Sequence, residues 1–234
     1  MTRRYIYVML TYIIMQFSVY LAVPLLVFVF HADPVLANIY WAVFSFTAGL
    51  VIVLWFLKPD MQLRAHPDAA GAGAIIVWSV LGIIMALLAQ GLAATIELEV
   101  FGIDPGSENT QGLMNLARIA PIFIILPSIL APILEEIIFR KIIFGSLYKK
   151  MNFFFAALIS SLIFAVIHLD FMHIMVYASM GFVFAFLYVQ TKRIIVPIIV
   201  HAGMNSLVVL VQFSLDPEEI QRQLDQLQLI FFGG

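Results

Sequence analysis

The stretch Pro121–Gly145, PIFIILPSILAPILEEIIFRKIIFG, decides how this chain is read. It is almost wholly apolar, yet it holds two adjacent glutamates, Glu135 and Glu136, and an arginine, Arg140. Charges at the centre of a membrane helix cost roughly 2.5–3.5 kcal/mol each on insertion scales. Neighbouring carboxylates also repel one another, so partners must compensate them. Arg140 follows Glu136 by four residues and shares its helical face, where an ion pair is geometrically available. Glu135 is rotated by about 100° and can face a bundle interior. That divides the roles into Glu136 with Arg140 as structure and Glu135 as chemistry. The alternative is that all three form one buried polar clamp between helices.

The rest of the chain supports a membrane setting. Its 234 residues are 63% hydrophobic and 11% charged, with a mean hydropathy of +1.06, against about 45–50% apolar and about 25% charged in soluble domains. The expected fold class is an all-α, polytopic membrane bundle. Seven apolar runs approach the roughly 20 residues a crossing needs: 5–30, 36–57, 73–96, 117–147, 153–169, 171–190 and 194–213. The fourth carries Pro121, Pro127 and Pro132 as break points. The longest polar loops are expected at 58–71 and 97–116. The first run is too long for a signal peptide. Residues 1–116 form a first group of three spans, 117–213 a second group of four, and 214–234 a tail. Asp216, Pro217, Glu218 and Glu219 are helix-start chemistry, and Ile220, Leu224 and Leu227 recur at helical spacing, so the tail reads as an amphipathic helix on the outer interface.

With the N-terminus in the cytoplasm, ten of the twelve Lys and Arg residues fall inside; only Arg118 and Arg222 fall outside. This positive-inside bias places the N-terminus in the cytoplasm and the C-terminus outside. The absence of cysteine excludes disulfides, thiolate metal sites and cysteine nucleophiles. No basic patch or aromatic motif points to nucleic acid, and the sequence does not set an oligomeric state.

Two further polar sites lie in apolar runs. FAVIHLD puts Phe164 and His168 four residues apart, with Asp170 beyond and His173 a weaker candidate further on. PIIVHAGMNSL puts His201 and Asn205 on one helical face, beside Ala202 and Gly203, which permit close helix approach. A Glu pair, a His and a His/Asn pair on three spans supply a base, an acid and an electrophile stabiliser, as amide hydrolysis requires. Glu135, His168 and His201 also offer a three-ligand set of the kind a catalytic zinc uses.

In this order, EEIIFR (Glu135, Glu136, Arg140), FAVIH (Phe164, His168) and HAGMN (His201, Asn205) resemble the EExxxR, FxxxH and HxxxN motifs of the CAAX-protease and bacteriocin-processing (Abi) family of intramembrane proteases. The resemblance covers about residues 117–213. It implies an endopeptidase acting on membrane proteins or peptides within the lipid bilayer. Glu135 and His168 would activate water, His201 and Asn205 would stabilise the oxyanion, and Glu136, Arg140 and Phe164 would support the site. A glutamate mechanism needs no cofactor; a metallo mechanism would use Zn2+ on Glu135, His168 and His201. Two other readings are a non-catalytic scaffold that regulates a membrane partner and a transporter, the latter disfavoured by the lack of inverted repeats. Compact size and short loops look bacterial; the substrate is not legible.

Depth poses a problem. At about 1.5 Å per residue, Glu135 and His168 lie roughly 20–25 Å from the basic inner ends of their spans, whereas His201 lies about 10–12 Å from Arg193. For the three to meet, either the last span starts below the surface or residues 140–150 turn along the interface.

Overall fold

The computed structural model describes residues 2–62, 66–104 and 106–214, so the expected tail helix lies outside the described residues. All secondary structure among them is helical. Helix α1 (Arg3–Phe17) breaks at Ser18 and resumes as α2 (Val19–Phe30). The Ser18 hydroxyl donates to the Met15 carbonyl (2.7 Å) and accepts the Trp41 indole N–H (2.9 Å), which fixes the break against the next helix. That helix, α3 (Pro34–Met61), begins with Asp33 accepting the amides of Val35 and Leu36, both at 2.9 Å, and with Pro34 in the first turn. Gly49 lets the Met15 side chain close on α3, since a Cβ there would come within 2.5 Å of its sulfur.

Helix α4 (Ala72–Phe101) ends at Gly102 in the left-handed conformation, and α5 (Glu108–Ile119) starts at Ser107, whose hydroxyl accepts the Thr110 amide (3.2 Å). The expected polar loop at 97–116 is therefore mostly helix. Met114 and Ala117, three residues apart, bury one face of α5.

The span holding Glu135 and Glu136, α6 (Pro121–Leu147), is the most buried. Its three prolines do more than kink it. Its hydrogen-bond ladder runs 3-10 at Pro121–Ile124, π at Leu126–Leu130, α at Ala131–Glu135 and π again at Glu136–Phe144. In the first π segment the Ala131 amide reaches back five residues to the Leu126 carbonyl. The next amide in that register would be at Pro132, which has none, so the Pro127 carbonyl is orphaned.

Helix α7 (Phe153–Val166) follows, then a turn with Leu169 at φ 56°, then a 3-10 turn Phe171–His173 leading into α8 (Ile174–Thr191), and finally α9 (Ile195–Ser214). All seven apolar runs are helical, but six are long and apolar enough to cross a membrane. At 14 residues, α7 spans about 21 Å, short of a hydrocarbon core of about 30 Å. Helix α8 lies against α4, α7 and α9. Gly82 of α4 meets Leu187 and Val200, and Gly203 of α9 meets Ile83, which is the close approach expected at Ala202–Gly203.

Candidate active site

The site is built on the irregular part of α6. Glu136 and Arg140 form the expected ion pair, Oε1 to Nη1 at 3.0 Å, with both side chains almost fully buried. No aligned hydrogen bond joins them, and aromatic rings supply much of the remaining environment. The guanidinium carbon lies 4.3 Å from the Phe164 ring centroid, 5.0 Å from Phe184 and 6.0 Å from Phe139, the cation–π arrangement that favours a desolvated arginine. Gly181 admits the group: a Cβ there would stand 3.1 Å from Nη2 and 2.9 Å from the Ser161 hydroxyl.

His201 stands between the two glutamates. Its Nδ1 is 2.9 Å from Glu136 Oε1, and its Nε2 is 3.7 Å from Glu135 Oε2. Because Glu136 already receives Arg140, it acts as an anion, and Nδ1 is the nitrogen that carries a proton. The 3.7 Å gap on the Glu135 side is too long for a direct hydrogen bond.

His168 sets its Nδ1 2.7 Å from the Phe164 carbonyl, an N–H donation that presents Nε2 as an acceptor. Its ring stacks on Tyr177 at 4.2 Å and lies edge-on to Phe164 at 4.6 Å. Asn205 donates Nδ2 to the Pro127 carbonyl at 2.9 Å, filling the gap left by Pro132. One amide hydrogen and Oδ1 remain. Glu135, His168, His201 and Asn205 all line one cavity of about 490 Å³. The predicted site residues thus converge, with Glu136, Arg140 and Phe164 packed beneath them.

For Glu135 and His201, depth is reconciled through Lys141. Its ammonium lies 3.6 Å from Asp60, which also pairs with Arg4 (3.1 Å) and accepts the Tyr5 hydroxyl (2.8 Å). Lys141 is therefore level with the chain's N-terminal end. Counted from there, Glu135 is about 9 Å deep, close to His201. Counting a straight helix from Lys149 and Lys150 was what set them apart.

Among the described residues no three His, Asp or Glu side chains converge in a group that could hold a metal ion. Glu135, His168 and His201 share a cavity but do not form such a group.

The sequence reading missed a second polar cluster. Glu97, assigned to a loop, is 1% exposed. Its carboxylate meets His173 Nδ1 (2.9 Å) and accepts the amides of Met175 (3.0 Å) and Val176 (3.3 Å) at the start of α8. Ser107 donates to Asp170 (2.7 Å) and lies 3.3 Å from the Tyr177 hydroxyl. The signals for it were two acids, Glu97 and Glu99, within the apolar run ATIELEVF, and Asp170 and His173 beyond FAVIH.

This constellation sits on an all-helical membrane bundle, and comparison with known proteins gives the class, a family of membrane proteases. Residues 117–207 match the family model described as Type II CAAX prenyl endopeptidase Rce1-like, and the chain belongs to this family. It is 48% identical to "Putative membrane peptidase YdiL" of Bacillus subtilis, over 100% of this chain and 99% of that protein. It is 40% identical to the "Membrane-embedded CAAX protease MroQ" of Staphylococcus aureus, over 67% of this chain and 66% of that one. No solved structure matches.

Proposed function

We propose that this chain is an intramembrane endopeptidase in which Glu135, assisted by His168, activates the attacking water. The observation that carries this reading is the convergence of Glu135, His168, His201 and Asn205 on one cavity above a buried Glu136–Arg140 pair. A water between Glu135 and the substrate carbonyl gives its proton to the carboxylate as its oxygen attacks the carbonyl carbon. The negative charge on the carbonyl oxygen is met by His201 and the remaining Asn205 amide hydrogen. The C–N bond then breaks as the proton held on Glu135 passes to the leaving amine, with His168 Nε2 as a relay. The products are a carboxylate and an amine. No step in this proposal is routed through a metal ion, since no three-residue ligand group converges among the described residues. Glu136, held by Arg140, orients His201, and Phe164 packs against Arg140 and both histidines. With the N-terminus in the cytoplasm, as the positive-inside count favours, Glu135 lies nearer that side and the cavity runs from it towards Ser107 and Asn109 at the opposite end of the bundle.

The test compares reconstituted parent protein with Glu135→Ala on a mixed membrane-peptide library read by mass spectrometry. Cleavage by the parent alone supports the assignment. Full cleavage by Glu135→Ala overturns it.

A further inference from the structure

The cavity that holds the site extends well beyond it, and its lining has a consistent chemistry. Besides Asn205, four carboxamides face it: Gln16 of α1, Asn38 of α3, Gln90 of α4 and Asn109 of α5. Three of these belong to membrane-spanning helices, where a polar side chain costs free energy without a partner. Gln16 donates Nε2 to the Tyr12 hydroxyl and Asn109 donates Nδ2 to the Tyr177 hydroxyl, so each keeps its amide oxygen as an acceptor. Asn38 and Gln90 make no side-chain hydrogen bond among the described residues. A carboxamide offers the same donor and acceptor pair as a peptide bond, and a row of them suits an extended backbone whose own groups have no water to bond.

The second observation is charge. No lysine, arginine or aspartate among the described residues lines the cavity, and its ionisable lining groups are Glu135, His168, His201 and Tyr177. Arg140 is sealed below by Glu136 and three phenylalanine rings. A free terminal carboxylate would enter beside Glu135 with no lysine or arginine to receive it, and with His201 already held by Glu136, which is unfavourable in a desolvated site.

Building on the peptidase reading, we infer that the cavity takes an internal, uncharged stretch of polypeptide in extended form. Its backbone is read by Gln16, Asn38, Gln90 and Asn109, and the cavity does not recognise a chain end by its carboxylate. All four carboxamides precede residue 117, outside the family-matched segment, so selection and chemistry sit on different parts of the chain.

The full chain, as Glu135→Gln in nanodiscs of phosphatidylethanolamine and phosphatidylglycerol, is offered two photo-crosslinkable libraries of short peptides built from Ala, Val, Leu, Ile, Phe, Ser and Thr. The libraries differ only in a C-terminal amide or free acid. Both are captured to the same extent, and adding Asn38→Leu with Gln90→Leu lowers capture about tenfold, as expected for lost backbone hydrogen bonds, without lowering the unfolding temperature. Capture confined to the free-acid library, undiminished capture by the leucine variant, or no capture at all overturns the inference. Parent protein run in parallel separates the two readings. Capture without any cleavage by the parent sinks the peptidase assignment alone; cleavage only near free-acid ends sinks this inference alone.

Discussion

The helices before residue 117 and those after it handle polarity in opposite ways. In the α1–α2, α3 and α4 spans, 6%, 28% and 17% of the most apolar window is buried, against 61% in α6. The first group therefore exposes its apolar sides, and its ion pairs lie at helix ends, as with Arg4 and Asp60. Its polar residues at depth are neutral carboxamides and serines, and its buried acid, Glu97, sits in the last turns of α4 against His173. The second group buries formal charge and answers each one: Glu136 with Arg140 and His201, and Arg140 with aromatic faces. The lesson is that a membrane bundle can afford buried charge only where packing is dense enough to fix every partner, and that density is found around α6.

Substitutions can break this contrast. The largest expected effect is on Glu135: Glu135→Gln keeps the volume and should lower peptide cleavage by about 10³-fold or more while the protein still folds, read as turnover alongside thermal unfolding. Next, Arg140→Leu should destabilise the protein by about 3–5 kcal/mol, because Glu136 is left buried without its cation; detergent unfolding measures it, and a loss comparable to that of an exposed arginine would refute the packing argument. Asp60→Ala should free Arg4, Tyr5 and Lys141 together. Increased protease access to the N-terminal helix, with α6 still protected, is the expected pattern. A chelator should leave cleavage unchanged, since no metal-binding group converges among the described residues; loss of cleavage on chelation would overturn the glutamate mechanism.

The smallest effect concerns the exposed pair of Lys192 and Asp68, 2.9 Å apart. The hydrogen bond and charge of Lys192 hold the Asp68 carboxyl below its ordinary 3.8. A depressed carboxylate contributes stability above its unfolded value, lost as pH falls through the lower folded one. The stability difference between parent and Asp68→Asn should thus be present at neutral pH, vanish below the ordinary aspartate range, and stay small because the pair is solvated. Unfolding temperatures across that range check the sign.

Much of this was legible in the sequence because it is local. The apolar runs gave the spans, and four-residue spacing gave the Glu136–Arg140 pair and the shared face of His201 and Asn205. The relations that escaped are long-range or depend on register. Nothing near Glu97 announces His173, 76 residues later, and helix α5 is too polar on average to stand out from a loop. Prolines in α6 signalled irregularity but not a switch to five-residue hydrogen bonding. Asn205 read as an oxyanion donor; that one of its hydrogens completes the ladder of another helix follows only from where Pro132 leaves an orphan.

That bond between Asn205 and the Pro127 carbonyl also has a mechanical consequence. A side chain of α9 serves as a missing rung of α6, so parting the two helices would leave a bare carbonyl in hydrocarbon, at a cost of several kcal/mol. The rear wall of the chamber is thereby riveted, and the yielding wall must be the sparsely packed one formed by α1–α3. Hydrogen exchange should find the slow amides in α6 and α9 and the fast ones in α1–α3; the reverse order would mean that the rivet does not hold.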